Sequence, residues 1–394
     1  MGIEFNDQQI HALYDIENWW SDHNDQVYEL SGAAGTGKTT LIRYFIERIG
    51  LDLTDVAFVA YMGKAAMQMA RNGLPAQTIH SFIYKYEQRV VRDDDGNIVT
   101  LPSGKPKIKF EFIKRDRPAK DVKLIVVDEA SMVNKEIGED ILSFGIPVIA
   151  LGDLNQLPPV FGNPYFLNNP NYILTQIMRQ QEGNPIIYLA HRVLDNKPLK
   201  IGVYGRNASV IHRSDLNEFI LEKADIVLTG TNRLRHEINT LFRINIKGIT
   251  KLEMPAVGEK IVCRKNNWDR SIGDSIYLIN GMTGYVDYVD RSSFNGKSIK
   301  IDFKPDFLKK RFKNLVIDYP RLYASPGSAG EQDSWAFTRD QFEFAYAITC
   351  HLSQGSSWPN VVFMNEKMMY NAETYKKLQY TAITRASEQL TVVL

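Results

Sequence analysis

Apolar residues in this chain fall into short runs, several of which end on acidic or glycine-rich stretches. Val27-Tyr28-Glu29-Leu30 reads as a strand, and Thr40-Leu41-Ile42-Arg43-Tyr44-Phe45-Ile46 as an amphipathic helix. Residues 122–127 and 146–151 are near-continuous apolar runs, the pattern of parallel strands buried on both faces. Asp93 to Asn97, between Gln88-Arg89-Val90-Val91-Arg92 and Ile98-Val99-Thr100-Leu101, carries the Asp-Gly signal of a hairpin. Lys107-Ile108-Lys109-Phe110-Glu111-Phe112 alternates with period two and extends that sheet. Beyond residue 256 the pattern changes to short β segments at 260–263, 275–279, 284–289 and 298–303. Gly281, Gly284 and Asn295-Gly296 punctuate them, and this spacing predicts a small barrel. The class is α/β.

Composition narrows the reading. The 394 residues are 44% hydrophobic and 24% charged, with a net charge of +1. Any nucleic-acid site must therefore rest on local basic and aromatic clustering. The two cysteines, Cys263 and Cys350, form no C-x-x-C pair, which argues against a disulfide framework or zinc site and fits a reducing, cytoplasmic setting. No signal core precedes residue 7, and no run approaches the roughly 20 apolar residues of a membrane span.

The chemistry concentrates at three strand ends. Gly32-Ala33-Ala34-Gly35-Thr36-Gly37-Lys38-Thr39 fits the phosphate-loop pattern at every fixed position, between a strand and a helix. Its backbone N–H groups, with Gly35, Thr36, Gly37 and Thr40, would cradle a polyphosphate at the helix N-terminus. Lys38 would reach the β- and γ-phosphates, and the Thr39 hydroxyl would sit on Mg²⁺. The second apolar run delivers Asp128 for the metal and Glu129 to polarise the attacking water. The third delivers Gly152-Asp153-Leu154-Asn155-Gln156, whose amide can sense a γ-phosphate.

In this order Lys38-Thr39, Asp128-Glu129, Gly152-Asp153-x-x-Gln156 and Met178-Arg179-Gln180 resemble the motifs of superfamily 1 helicases. Residues 349–356 and 380–386 look like that superfamily's last two motifs. Thr78-Ile79-His80-Ser81, Thr231-Asn232 and Asn280-Gly281-x-x-Gly284 favour the 1B branch containing RecD, Pif1 and the phage helicase Dda, the last closest in size. The resemblance covers residues 5–394. It implies two RecA-like lobes with parallel sheets, 1–83 with 119–168 and 169–255 with 340–394. It also implies a hairpin insertion over 84–118 and an SH3-like barrel over 256–339.

By the same resemblance Gln9 reads adenine, Gly355 contacts nucleotide, and Arg179 and Arg385 are arginine fingers that complete an ATP site across two lobes. Thr78, His80, Asn232, Thr349 and His351 would lie over a single strand, with Phe82 a candidate stacking face. Lys64 stands in Tyr61-Met62-Gly63-Lys64, where relatives usually carry Pro-Thr, and suits a phosphate contact or a plain helix face equally. The basic run Leu308 to Lys313 is open in the same way, between a phosphate track and a solvated helix face.

The expected activity is an ATP- and Mg²⁺-dependent DNA helicase moving 5′→3′ on single-stranded and forked DNA, with polarity taken from the branch alone. It is expected to act as a monomer, away from membranes, and to meet single-strand-binding or replisome proteins. The hairpin is either the pin that splits the duplex or surface decoration. Rival readings are an ATP-switched clamp or protein-displacing remodeller, and a motor on RNA or RNA–DNA hybrid.

Overall fold

The computed structural model describes residues 5–22, 24–61, 63–71, 73–93, 95–100, 106, 108–118, 120–158, 163–176, 183–249, 254–272, 277–306, 308–323, 339–366 and 371–394. They form two compact units: Met1–Leu154 with Pro158–Met178, and Asn155–Leu157 with Arg179–Leu394.

The first unit has strands β1 (Val27–Gly32), β2 (Val56–Ala60), β3 (Ala76–Thr78), β4 (Tyr84–Val90), β5 (Ile108–Lys114), β6 (Leu124–Asp128), β7 (Val148–Gly152) and β8 (Tyr172–Leu174). Its helices are α1 (Asp7–Asp22), α2 (Lys38–Arg48), α3 (Gly63–Arg71), α4 (Ile79–Ile83) and α5 (Lys135–Leu142). Six strands make a wholly parallel sheet in the order β3-β2-β6-β7-β1-β8. Alternate residues divide between two cores, as a pleated strand requires. Val56, Phe58 and Ala60 join Leu41, Phe45 and Ile46 of α2 on one face; Ala57 and Val59 join Ile79 of α4 and Ile141 of α5 on the other. Burial on both faces explains why β2, β6 and β7 read as unbroken apolar runs.

Strand β8 pairs with β1, Leu30 opposite Tyr172. The first unit's sheet therefore takes in β8, beyond residue 168, where the resemblance ends the first lobe. Three residues are too few to show a period.

The antiparallel pair β4–β5, with Tyr84 opposite Lys114 and Val90 opposite Ile108, forms a long hairpin stem. Above it, among the described residues, the chain makes the isolated bridges Arg92–Ile98 and Thr100–Pro106. Asp93 closes the tip, its Oδ1 accepting from Asn97 N at 2.8 Å and Asp95 N at 3.1 Å, and Arg92 Nη1 adds a bond to Gly96 O at 2.7 Å. Gly96 sits at φ 85°, where a side chain would be strained. At Asp93 the acidic character of the tip is turn chemistry.

The second unit has strands β9 (Gly202–Tyr204), β10 (Ala208–Ile211), β11 (Ile226–Thr229), β12 (Lys260–Cys263), β13 (Asn267–Ser271), β14 (Tyr277–Leu278), β15 (Thr283–Asp290), β16 (Ser298–Pro305), β17 (Phe312–Asp318), β18 (Phe342–Phe344), β19 (Ala347–Thr349), β20 (Trp358–Met364) and β21 (Ala386–Val393). Its helices are α6 (Pro185–Leu194), α7 (Glu218–Lys223), α8 (Asn232–Leu241), α9 (Tyr319–Tyr323) and α10 (Ala372–Ile383). A second six-stranded sheet runs β19-β11-β20-β21-β10-β9, parallel except at β9.

Between α8 and β19 the chain builds an antiparallel sheet, β17-β16-β15-β12-β18. A side chain at Gly284 would place its Cβ 2.2 Å from the Lys304 carbonyl oxygen, so close β15–β16 approach requires glycine there. The basic run is not a helix: Leu308–Arg311 connects β16 to β17, and Phe312 is buried in the strand. Below this sheet Arg243 and Glu259, each under 4% exposed, pair at 2.6 Å, and the guanidinium lies 4.1 Å from the Phe344 ring centroid.

Candidate nucleotide site and nucleic-acid surface

Strand β1 leads through Gly32 into the phosphate loop. Gly35 and Gly37 adopt φ 82° and 78°, the left-handed region that turns successive N–H groups to one side. Gly37 also caps α2 with no side-chain bond, leaving first-turn N–H groups for an anion. Lys38 Nζ donates to the loop's own carbonyls, Gly32 O at 2.5 Å and Ala33 O at 3.3 Å. Buried Thr36 donates through Oγ1 to Ala33 O at 2.8 Å, tightening the same turn.

Gln9 is fully buried on α1. Its Nε2 donates to Thr36 O at 2.9 Å and its Oε1 accepts from Asn6 N at 3.1 Å. The sequence reading assigned it to the adenine base; the structure shows its amide bonded to the loop backbone. The tether was illegible because nothing in local spacing shows that α1 returns to residue 36.

Strands β6 and β7 end beside each other, in register from Ile125–Val148 to Val127–Ala150, and β7 lies between β6 and β1. Burial raises the Asp128 pKa; the Glu129 N–H, bonded to Oδ1 at 3.0 Å, and the Lys38 charge oppose that rise. Glu129 sits at φ 51°, ψ 40°, a left-handed conformation costing a non-glycine residue about 1–2 kcal/mol. Such strain commonly marks a working residue. Gly152 is required where β7 ends: a Cβ there would lie 2.3 Å from Leu167 Cδ1 and 3.4 Å from Ser131 N.

In the second unit Gln156 is 9% exposed, and its buried Oε1 accepts no hydrogen bond among the described residues. The next residue is held from both sides. Leu157 N donates to Thr381 Oγ1 at 3.0 Å, and Gln354 Nε2 donates to Leu157 O at 2.6 Å. Sequence reading missed Thr381 and Gln354, although both lie inside the two C-terminal motifs. Arg385 is 6% exposed, its guanidinium held by Thr381 O and Ser356 O, each at 3.2 Å. Gly355 takes φ 65°. Arg179 and the Lys64 side chain lie outside the described residues.

The strand-binding candidates divide. Phe82 is 0% exposed and packs edge-on against Phe144 in the sheet core, so it presents no face to a base. Its place on the inward side of α4 overturns the stacking assignment. His80, half-buried between Tyr61 and Tyr84, has its pKa lowered by burial, with Glu136 opposing. Thr78 caps α4 by accepting from Ser81 N at 3.2 Å. Asn232 is exposed at the start of α8, with Oδ1 accepting from Arg235 Nε at 3.1 Å. Glu366 fixes that start by accepting from Gly230 N and Thr231 N, each at 3.2 Å. Thr349, the last residue of β19, and His351 beyond it are half-buried, and burial lowers the His351 pKa. Both cysteines are buried free thiols.

Residues 19–162 match the model of the AAA domain, and residues 344–393 that of the UvrD-like helicase C-terminal domain. An uncharacterized protein of Methanocaldococcus jannaschii is 26% identical over 93% of this chain and 36% of its own length. The ATP-dependent RecD2 DNA helicase of Deinococcus radiodurans is 26% identical over 91% of this chain and 46% of its own. This chain thus spans less than half of these two relatives. The ATP-dependent DNA helicase Pif1 of Campylobacter jejuni is 24% identical over 93% of this chain and 88% of its own length. Among solved structures, Bacteroides Pif1 in complex with ADP-AlF3 and ssDNA aligns over 99% of this chain and 92% of its own, with a TM-score of 0.53 and 17% identity. A structure of two coordinating Pif1 helicases at forked dsDNA gives a TM-score of 0.54 at 17% identity, with the same coverage. These structural likenesses speak for the fold. With both domain models falling on the two parallel-sheet units, and RecD2 and Pif1 among the relatives, the chain is similar to the Pif1/RecD2-like superfamily 1B helicases.

Proposed function

We propose that this chain is an ATP-driven motor that moves 5′→3′ along single-stranded DNA and separates duplex strands. The observation that carries the ATPase part is the first unit's sheet, where adjacent β1, β7 and β6 end in the phosphate loop, Gly152 and Asp128-Glu129. The polarity rests on the family branch. Relatives named as ATP-dependent DNA helicases, and Pif1 structures described with ssDNA and forked dsDNA, support the substrate.

The residues fit a nucleotide with Mg²⁺. Asp128 offers a half-buried carboxylate, Thr39 a hydroxyl at the first turn of α2, and the loop a set of backbone donors. Bound Mg²⁺ would offset phosphate charge and favour ionised Asp128. Lys38 would exchange its carbonyl contacts for phosphate oxygens. Glu129, in its left-handed conformation just after β6, would take the proton of the attacking water. Gln156 offers a buried acceptor, unbonded among the described residues, to orient that water. Arg385 and Arg179 would stabilise γ-phosphate charge, as in the family.

In this reading Asn232, Thr349 and His351 contact the strand backbone, with Thr78 and His80 over the first sheet. The β4–β5 hairpin is the separating pin, and the five-stranded antiparallel sheet is the family's SH3-like module. The protein works as a cytoplasmic monomer and meets single-strand-binding or replisome proteins. Among the described residues no helix is long and apolar enough to cross a membrane.

Matched partial duplexes with a 5′ or a 3′ tail, given ATP and Mg²⁺, test the proposal. Displacement from the 5′-tailed substrate alone is expected. Displacement from the 3′ tail would reverse the polarity. Hydrolysis without displacement would favour the clamp or remodeller, and stimulation by RNA over DNA the RNA motor.

A further inference from the structure

In the second unit one carboxylate serves three guanidinium groups. Glu343 on β18 accepts from Arg235 Nη1 at 2.5 Å, and its Oε1 lies 3.1 Å from Arg321 Nη2. Its Oε2 also lies 3.4 Å from Arg264 Nε, too poorly aligned for a hydrogen bond. The three arginines come from separate elements: α8, the residue after β12, and α9. Among the described residues, three cations on one anion leave a surplus of two positive charges. Among the described residues the nearby acids are engaged elsewhere: Asp318 accepts the Arg321 backbone N–H, Glu259 pairs with Arg243, and Asp340 is held by Asn267 and Arg270.

The surplus is accompanied by unused donors. The Nε atoms of Arg264 and Arg321 are buried, and neither donates to any acceptor among the described residues. Buried polar groups are rarely left so without a reason. Burial and the charges of Arg235 and Arg321 lower the Arg264 pKa against the pull of Glu343, as expected of an under-compensated cluster. Side-chain exposure rises from 9% at Arg235 through 27% at Arg264 to 40% at Arg321, so the cluster grades from interior to solvent.

We propose that Arg235, Arg264 and Arg321 form a binding site for a phosphate-type oxyanion. Guanidinium forks match the several oxygens of a phosphate, and an arriving anion supplies both missing charge and missing acceptors. The source is either a backbone phosphate of a bound strand or free inorganic phosphate. Asn232, exposed at the start of α8 and bonded to Arg235, puts the site beside a residue assigned to the strand, and that part of the argument rests on the proposed DNA-binding function.

Arg321→Gln and Arg264→Gln test the site, each checked for folding by its thermal midpoint. Binding of an oligothymidylate is measured without ATP across a salt series, and midpoints are measured with and without added inorganic phosphate. A strand phosphate predicts that the log-affinity against log-salt slope becomes shallower by about 0.7 in each variant. A free ion predicts that phosphate raises the midpoint of the parent protein but not of the variants, with the slope unchanged. Glu343→Gln adds a check of opposite sign, since removing the lone carboxylate should tighten whichever anion binds. If neither slope nor phosphate response changes in the arginine variants, the site does not exist. Strand displacement is not read, so failure of the helicase proposal would leave this result interpretable.

Discussion

The side-chain amide of Gln9 donates to the carbonyl oxygen of Thr36 at 2.9 Å, tying α1 to the centre of the phosphate loop. Asn6 closes the arrangement, accepting from Gln9 N at 2.8 Å while its own N–H donates to Gln9 Oε1. A neutral hydrogen bond of this kind contributes about 1 kcal/mol net. Gln9→Ala should therefore weaken ADP affinity about fivefold by loosening the loop, with little change in global melting. Gln9→Glu should be worse, because a carboxylate would face the Thr36 carbonyl. Titration with a fluorescent ADP analogue checks both. Affinity unchanged in both variants would show that the tether does not shape the loop.

The backbone at Glu129 permits an inverted stability effect. Asn tolerates φ 51° better than Glu. Glu129→Asn is expected to raise the thermal midpoint slightly while abolishing ATP hydrolysis. Glu129→Gln should lose hydrolysis without the stability gain and retain bound ATP. Calorimetry beside a single-turnover ATPase assay separates the two. Wild-type turnover in either would remove Glu129 from the catalytic role.

Thr381 holds Leu157 by accepting its N–H inside a buried environment. Thr381→Val keeps the shape but strands that donor, at a cost of about 1–3 kcal/mol. Thr381→Ser keeps the oxygen and should retain most of the stability. If Gln156 senses nucleotide, the valine variant should also lose kcat at saturating ATP, with serine restoring it. Equal behaviour of the two variants would show that packing, not the hydrogen bond, matters here.

Acidification should destabilise the fold through its histidines. Burial lowers the pKa of His351, and that of His80 despite the opposing Glu136. Each folded value thus lies below the ordinary value of about 6.5, and the unfolded chain takes up protons first. Their contribution is complete above about pH 6.5 and is lost as pH falls through the folded values. Melting should fall between pH 7.5 and 5, and His351→Gln should flatten that dependence. An unaltered pH slope in His351→Gln would contradict the assignment.

What the sequence displayed best were groups whose chemistry is local. The phosphate loop needs Gly35 and Gly37 at two left-handed positions, and β6 and β7 are apolar because both faces are covered. These requirements write themselves into neighbouring residues. Contacts closed across long separations leave no such mark: Gln9 with Thr36, Leu157 with Thr381 and Gln354, and Glu343 with three arginines from distant elements. Phe82 misled for a related reason. An aromatic after a candidate DNA-contact segment is equally an inward residue of α4, and only packing against Phe144 decides between them.

The left-handed backbone of Glu129 also bears on how this protein would respond to selection in the laboratory. Glycine and asparagine relieve the backbone most readily, and neither supplies the acid. Folding and turnover therefore pull in opposite directions at this one position. A library sorted only by heat resistance or soluble yield should enrich replacements there and accumulate well-behaved, inactive protein. Sorting must therefore include turnover for the acid to be retained.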